Sequence, residues 1–199
     1  QPPGENPKVV CATFLELKSG DKFTHWYLDE IPDWPFNSNE TIYICHNAVA
    51  EVSCMLQLGM ARPNYIWDTM VQDKKLWLGR EPGFSLLDSC KRYSIPTITE
   101  AQKEIYRKLI INKYPAYTAT EKEKIIEYNI TDVEENAKLF MAQCKEFDLR
   151  DKNSKKILSQ AIFHSRSQGV IAKIERNGIP MNFDLYSDME KYFPVIKAQ

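Results

Sequence analysis

The first third of the chain carries short apolar stretches that predict β-strands. Four stretches have this pattern: VVCATFLEL (9–17), KFTHWYL (22–28), TIYIC (41–45) and YIW (65–67). They are rich in the β-branched and aromatic residues that favour strands. The turn Ser19-Gly20-Asp21 joins the first two, so they are expected to form a hairpin. The fourth stretch is expected to end at Asp68.

From residue 48 onward the apolar residues recur mainly at helical spacing. The predicted helices are 48–58, a segment from 69, 85–93, 99–112, a segment from 120, 154–177 and 186–196. Thr120 with Glu123 and Thr131 with Glu134 both match the capping-box pattern, which predicts a helix or helix pair that bends near Asn129. The predicted strands come mostly before the predicted helices, and one strand–helix–strand unit lies between them. This order favours an α/β fold in which helices flank a mixed sheet.

Composition and charge narrow the functional classes. A chain of 199 residues with 43% hydrophobic residues has material for one core plus an appendage. Its net charge of -1 excludes binding to nucleic acid by bulk positive charge, so such contacts would need a local patch. The five cysteines are scattered, which favours reduced thiols over a zinc or redox site. No apolar run approaches the ~20 residues that span a bilayer, so we expect no membrane partner and a cytoplasmic or nucleoid location.

Four acids stand where an α/β fold could bring them together. Glu16 and Asp68 lie at predicted strand ends, and Glu51 and Asp132 lie on predicted helices. Tyr128 precedes Asp132 by four residues, so both side chains would lie on one helix face. Carboxylate oxygens are the ligands that Mg²⁺ or Mn²⁺ prefers. The ordinary alternative is that these acids are solvated and that Tyr128 is a core aromatic residue.

The order of these residues resembles a known family. Four motifs carry the resemblance: Glu16, HNAVAE (46–51), IWDTM (66–70) and YNITDVEENAKLF (128–140). Together they resemble the proofreading 3′-to-5′ exonuclease domain of family A DNA polymerases, especially the bacteriophage-like members. FHSRSQGVIAKIERNGIPMN (163–182) resembles the segment that leads from this domain into the polymerase region. The resemblance implies a ribonuclease H-like exonuclease domain over residues 1–152. Residues 153–199 would be a helical linker to a polymerase domain outside this chain.

The resemblance also assigns roles to individual residues. Asp132 matches a metal-binding aspartate, Tyr128 a residue that orients the attacking water, and Glu16 a first-motif acid. Asn47 and Glu51 match the second motif, which makes Asn47 a candidate DNA contact and Glu51, like Glu16, a catalytic metal ligand. Asp68 is a further candidate metal ligand. The implied activity is hydrolysis of a single-stranded or frayed DNA 3′ end with two divalent metals, Mg²⁺ or Mn²⁺. A phage-encoded protein would act in the host cytoplasm.

A basic and aromatic segment between the motifs is a candidate DNA contact. Lys103 and Arg107 lie in it, on the predicted helix 99–112. Interleaved glutamates make a solvated helix face an equally good interpretation.

The first motif departs from the family pattern. The family has an aspartate two residues before the glutamate, and this chain has Phe14 there, which cannot bind a metal. The loss of one ligand predicts weak metal binding and weakened or lost cleavage, which Phe14→Asp would raise. The alternative is a catalytically inactive DNA-binding or structural module of the polymerase. A free-standing nuclease is disfavoured, because it would not need the long helix after Ser154.

Overall fold

The amino-terminal part of the chain forms two small sheets. The computed structural model describes residues 7–29, 39–149, 152–178, 180 and 182–197. Strand β1 (Cys11–Leu15) pairs antiparallel with β2 (Lys22–Trp26), and β3 (Ile42–Cys45) pairs parallel with β4 (Tyr65–Asp68). The predicted hairpin and all four predicted strands are therefore confirmed.

The α/β class is confirmed, but one mixed sheet is not formed within the described ranges. The hairpin and the parallel pair are separate two-stranded sheets. Residues of both β1 and β3 line one large cavity. The sequence pattern predicted the four strands correctly but did not predict that they form two separate sheets.

Seven helices occupy most of the remaining described chain. Their bounds are α1 Ala48–Gln57, α2 Thr69–Trp77, α3 Leu86–Arg92, α4 Glu100–Lys113, α5 Ala119–Glu146, α6 Ser154–Asn177 and α7 Phe183–Lys197. The second helix start expected at Thr131 is not formed, because α5 is one continuous helix. Its capping box is Thr118 with Glu121, and the Thr131 hydroxyl donates to the Glu127 carbonyl at 2.9 Å instead of capping a new helix.

The core lies around β4, with α5 and α6 packed nearby. Trp67 is fully buried, and its Nε1–H donates to Oε1 of Gln143 on α5 at 3.1 Å. Phe140 meets the Trp67 ring edge-on, with 5.3 Å between ring centroids. Helix α5 also packs on β1 and β3, so it holds the hairpin beside the parallel pair. This arrangement places Tyr128 and Asp132, both on α5, next to the strands.

Helix α6 packs against α1 and β4, although the sequence placed it in a linker after residue 152. Its buried face consists of small residues: Ala161, Ser165, Gly169 and Ala172. A methyl group added at Gly169 would lie 3.0 Å from Cδ of Arg62 and 3.5 Å from Cδ1 of Ile66. Small side chains thus permit the close approach, and α6 is part of the same packed body as β4.

Helix α7 differs from α6 in its exposure. It presents large apolar side chains to solvent, including Phe183 and Phe193, and it contains Pro194. Within the described part of the chain, no helix has the combination of length and apolar character needed to cross a membrane.

Candidate functional site

A cavity of about 980 Å³ lies between the hairpin, β3, α1, α4 and α5. Its lining includes most of the residues that the sequence singled out: Phe14, Glu16, Glu51, Lys103, Arg107, Tyr128 and Asp132. Two predicted residues, Asn47 and Asp68, do not line it. The fold therefore brings side chains from four separate elements to one space.

Tyr128 and Asp132 both face this cavity, as their spacing on one helix predicted. The Tyr128 ring stacks on Tyr106 of α4, with centroids 4.8 Å apart and ring planes 6° from parallel. Burial raises the pKa of the Tyr128 hydroxyl, and the negative charge of Asp132 raises it further. The phenol is therefore a neutral hydrogen-bonding group beside a carboxylate.

The carboxylate of Asp132 has a basic partner. Nζ of Lys103 lies 3.3 Å from Oδ1 of Asp132. Lys103 is 5% exposed, so its ammonium group is almost removed from bulk water. A buried ammonium group is costly without a negative partner, and Asp132 provides that partner. The sequence assigned Lys103 to DNA contact, whereas here it is an ion-pair partner within the candidate site.

Glu51 reaches the cavity from α1. Its side chain is accessible from the cavity, but the surrounding walls desolvate the carboxylate and raise its pKa to about 7. The nearby negative charges of Asp68 and Asp132 are smaller contributions to this raised pKa. Among the described residues, Glu51 has no hydrogen bond or ion pair within its reach. It is the predicted ligand whose oxygens are least engaged by the protein.

Glu16 follows the end of β1 and binds its own hairpin turn. Its carboxylate accepts hydrogen bonds from the backbone N–H of Lys18 at 3.1 Å and from that of Ser19. Hydrogen bonding to Ser19, with a smaller contribution from the Lys18 backbone, lowers the pKa of Glu16. The carboxylate is ionised but already serves as a turn acceptor.

Asp68 is buried beneath the cavity and stabilises two helix starts. Its Oδ1 accepts from the backbone N–H groups of Asn47 at 3.1 Å, Met70 at 2.9 Å and Val71 at 3.3 Å. Its Oδ2 accepts from the backbone N–H of Ala48 at 2.7 Å. Asp68 is the N-cap of α2 and also binds the first turn of α1. This geometry gives Asp68 a structural role and leaves its oxygens poorly placed to ligate a metal.

Asn47 also acts through the backbone. It precedes α1 with a φ of 72°, a left-handed conformation that asparagine tolerates better than most residues. This conformation turns its N–H towards Asp68. Nδ1 of the neighbouring His46 forms a hydrogen bond with Oγ1 of Thr69 at 2.9 Å. The Nε2–H of His46 donates to the Phe84 carbonyl at 3.0 Å. These contacts fix the entry into α1 and hence the position of Glu51.

Phe14 occupies the cavity wall where the first-motif aspartate is expected. It is 8% exposed and pairs with Phe23 across the hairpin. Its ring lies 6.3 Å from that of His25, centroid to centroid. An aromatic ring here makes this part of the wall apolar.

The remaining charges of the cavity are mostly acidic. Arg107 is an exposed residue of its rim and pairs with Glu100, with Nη1 and Oε1 3.6 Å apart. The acids in the lining are Glu16, Glu40, Glu51, Glu100 and Asp132, against the bases Lys103 and Arg107. Because both bases are paired with acids, the lining has little positive charge to offer a phosphodiester.

The residues present do not fit a two-metal centre. Phe14 supplies no oxygen, Asp68 is occupied by backbone N–H groups, and Asp132 is paired with Lys103. Nowhere in the described ranges do three His, Cys, Asp or Glu side chains gather closely enough to hold a metal ion. Three of the four predicted metal ligands, Glu16, Glu51 and Asp132, line the same cavity, but they are not assembled into a ligand shell.

Sequence reasoning missed the ion pair between Lys103 and Asp132 and the capping role of Asp68. The latter had a signal, because an aspartate directly before a helix start is a typical N-cap. The former had none, because no local pattern indicates which residue of α4 meets α5. Comparison of the chain with models of protein families, with curated proteins and with solved structures finds no match.

Proposed function

We propose that this chain is the exonuclease-type, amino-terminal part of a family A-like DNA polymerase, with a ribonuclease H-like fold and with 3′-to-5′ hydrolysis weakened or lost. One observation carries the proposal. Glu16, Glu51, Tyr128 and Asp132, which are far apart in the sequence, all line a single cavity. The motif order of the exonuclease family requires this convergence.

The weakening of hydrolysis has a chemical basis in the same cavity. Hydrolysis of a phosphodiester needs positive charge at the attacking and leaving oxygens, which divalent metals provide in this class of enzyme. Phe14 removes one carboxylate from the wall, and Lys103 neutralises another. Tyr128 keeps its hydroxyl in the cavity, where it is able to orient water or a sugar hydroxyl.

The second candidate function is an inactive structural or DNA-binding module of the polymerase. The acidic balance of the lining and the pairing of Arg107 with Glu100 favour it, because neither feature attracts a phosphodiester. The packing of α6 on α1 and β4 also fits a bracing role, since it makes α6 a packed continuation of this fold.

A cleavage assay tests the first proposal. A 5′-labelled single-stranded oligonucleotide is incubated with the unaltered protein in Mg²⁺ and in Mn²⁺, with Asp132→Ala as the reference. We expect shortening from the 3′ end at a rate within about tenfold of the reference, a difference of about 1.4 kcal/mol in barrier. Fast cleavage that Asp132→Ala abolishes would contradict the loss of hydrolysis. Fast cleavage that survives Asp132→Ala would place the site elsewhere.

A binding assay separates the two candidates. Fluorescence anisotropy of the same oligonucleotide at low salt measures whether DNA binds without being cleaved. Binding that weakens in Arg107→Gln but not in Lys108→Gln would place DNA at the cavity rim, since Lys108 is exposed on the same helix and does not line the cavity. The absence of binding would favour the purely structural function.

A further inference from the structure

We propose that Lys103 closes this site to divalent cations, because its ammonium group occupies the space beside Asp132 that a bound metal ion would need. The inference rests on the proposed function, since it takes Asp132 to be the metal-binding aspartate of an exonuclease-type site. Lys103 would then be a second obstacle to metal binding, in addition to the missing carboxylate at Phe14. The consequence is that restoring the acid at position 14 would not by itself restore a metal site.

The position of Lys103 is fixed by its helix and its burial. It lies on α4, and 5% of the residue is exposed, so the side chain has little freedom to swing into solvent. Its Nζ is 3.3 Å from Oδ1 of Asp132. If a metal took Asp132 away, Lys103 would remain as a buried ammonium group without its partner, which is a costly state for a lysine.

Distances make the exclusion direct. Mg²⁺ binds carboxylate oxygens at about 2.0–2.1 Å. With Nζ 3.3 Å from Oδ1, a Mg²⁺ ion bound to that oxygen would lie no more than about 5.4 Å from Nζ. Charges of the same sign this close repel strongly where protein walls limit solvent screening. Metal binding at Asp132 therefore requires Lys103 to move away.

Several acids around Lys103 are already engaged by other groups. Glu100 and Glu104 on the same helix are paired with Arg107 and Lys108. Glu16 accepts from its hairpin turn, and Asp68 from four backbone N–H groups. Glu40 and Glu51 are the remaining acids of the lining, and a metal would need Glu51 as a ligand.

Direct measurement of Mn²⁺ binding tests the inference without relying on catalysis. Electron paramagnetic resonance of free Mn²⁺ gives the dissociation constant for four proteins: unaltered, Phe14→Asp, Lys103→Gln, and the double variant. We expect the double variant to bind Mn²⁺ at least about tenfold more tightly than either single variant, because one charge within about 4–6 Å shifts a carboxylate equilibrium by at least this factor. Phe14→Asp with Lys108→Gln is the matched control and should bind like Phe14→Asp alone.

Folding is checked on every variant by its thermal midpoint. Lys103→Met replaces Lys103→Gln in the double variant if the latter does not fold, since methionine keeps the length of the stem without the charge. Asp132→Ala in the double variant should abolish the gained binding and so locate the ion.

Two results overturn the inference, and they differ in what else they overturn. If Phe14→Asp alone binds Mn²⁺ as tightly as the double variant, Lys103 does not exclude the metal, and the proposed function stands. If the folded double variant gains no binding, or if its binding survives Asp132→Ala, the cavity is not a former metal site, and the proposed function falls as well.

Discussion

Asp68 offers a quantitative test of how this fold is held together. The sequence assigned it to metal binding, whereas the structure uses its carboxylate as an acceptor for backbone N–H groups at the starts of α1 and α2. Asp68→Asn keeps the size of the side chain but replaces one oxygen by an NH₂ group. The substitution therefore removes acceptor capacity and charge without creating a cavity.

The expected cost follows from the contacts. With Oδ2 replaced, the N–H of Ala48, now 2.7 Å from Oδ2, loses its acceptor and faces a donor instead. A hydrogen bond to a charged group contributes about 1.5–3 kcal/mol, and the three bonds to Oδ1 weaken when the charge is lost. We expect Asp68→Asn to lower the free energy of unfolding by about 2–4 kcal/mol.

Urea unfolding followed by far-ultraviolet circular dichroism measures this loss. Asp21→Asn is the control, because Asp21 is exposed in the hairpin turn, and it should change the free energy of unfolding by no more than about 0.5 kcal/mol. A loss of less than about 0.5 kcal/mol in Asp68→Asn would refute the capping role. It would reopen the assignment of Asp68 as a metal ligand.

Two further substitutions test the packing and the buried histidine. Gly169→Val should lower the free energy of unfolding by about 1–3 kcal/mol, because α6 meets Ile66 and Arg62 there. The control is Ser167→Val at an exposed position, which should lower it by less than about 1 kcal/mol. Equal losses in the two variants would argue against close packing at Gly169. Burial lowers the pKa of His46, so its contribution to stability is present above pH ~6.5 and is lost as pH falls towards the folded-state pKa. His46→Gln should therefore reduce the fall in unfolding free energy between pH 7.5 and 5.5, and an unchanged fall would contradict this.

The secondary structure followed from local pattern where the physics is local. Alternating and β-branched stretches located the four strands, and capping residues such as Ser85 and Thr99 located the starts of α3 and α4. The wrong prediction of a second helix start at Thr131 arose because the Thr131 hydroxyl has two possible hydrogen-bond partners. It is able to cap a new helix or to bind the carbonyl of Glu127, and the packing of α5 along the strands selects the second.

The long-range arrangement was not accessible in the same way. Helix α6 packs into the core through small residues at Ala161, Ser165, Gly169 and Ala172. This pattern is visible in the sequence, but it does not indicate which helix packs against α6. That Lys103 meets Asp132 depends on how α4 crosses α5, which no local propensity determines. The four residues linked by the resemblance, Glu16, Glu51, Tyr128 and Asp132, all line one cavity, and their roles remain predictions.

The most direct test of the central claim is a crystallographic one. Crystals of the unaltered protein and of the Phe14→Asp, Lys103→Gln double variant are soaked in Mn²⁺, and anomalous difference density locates the ion. We expect density in the cavity of the double variant, bound by Asp132 and by the carboxylate introduced at position 14, and none in the cavity of the unaltered protein. Strong density beside Asp132 in the unaltered protein, or density in the double variant away from Asp132, would contradict the account.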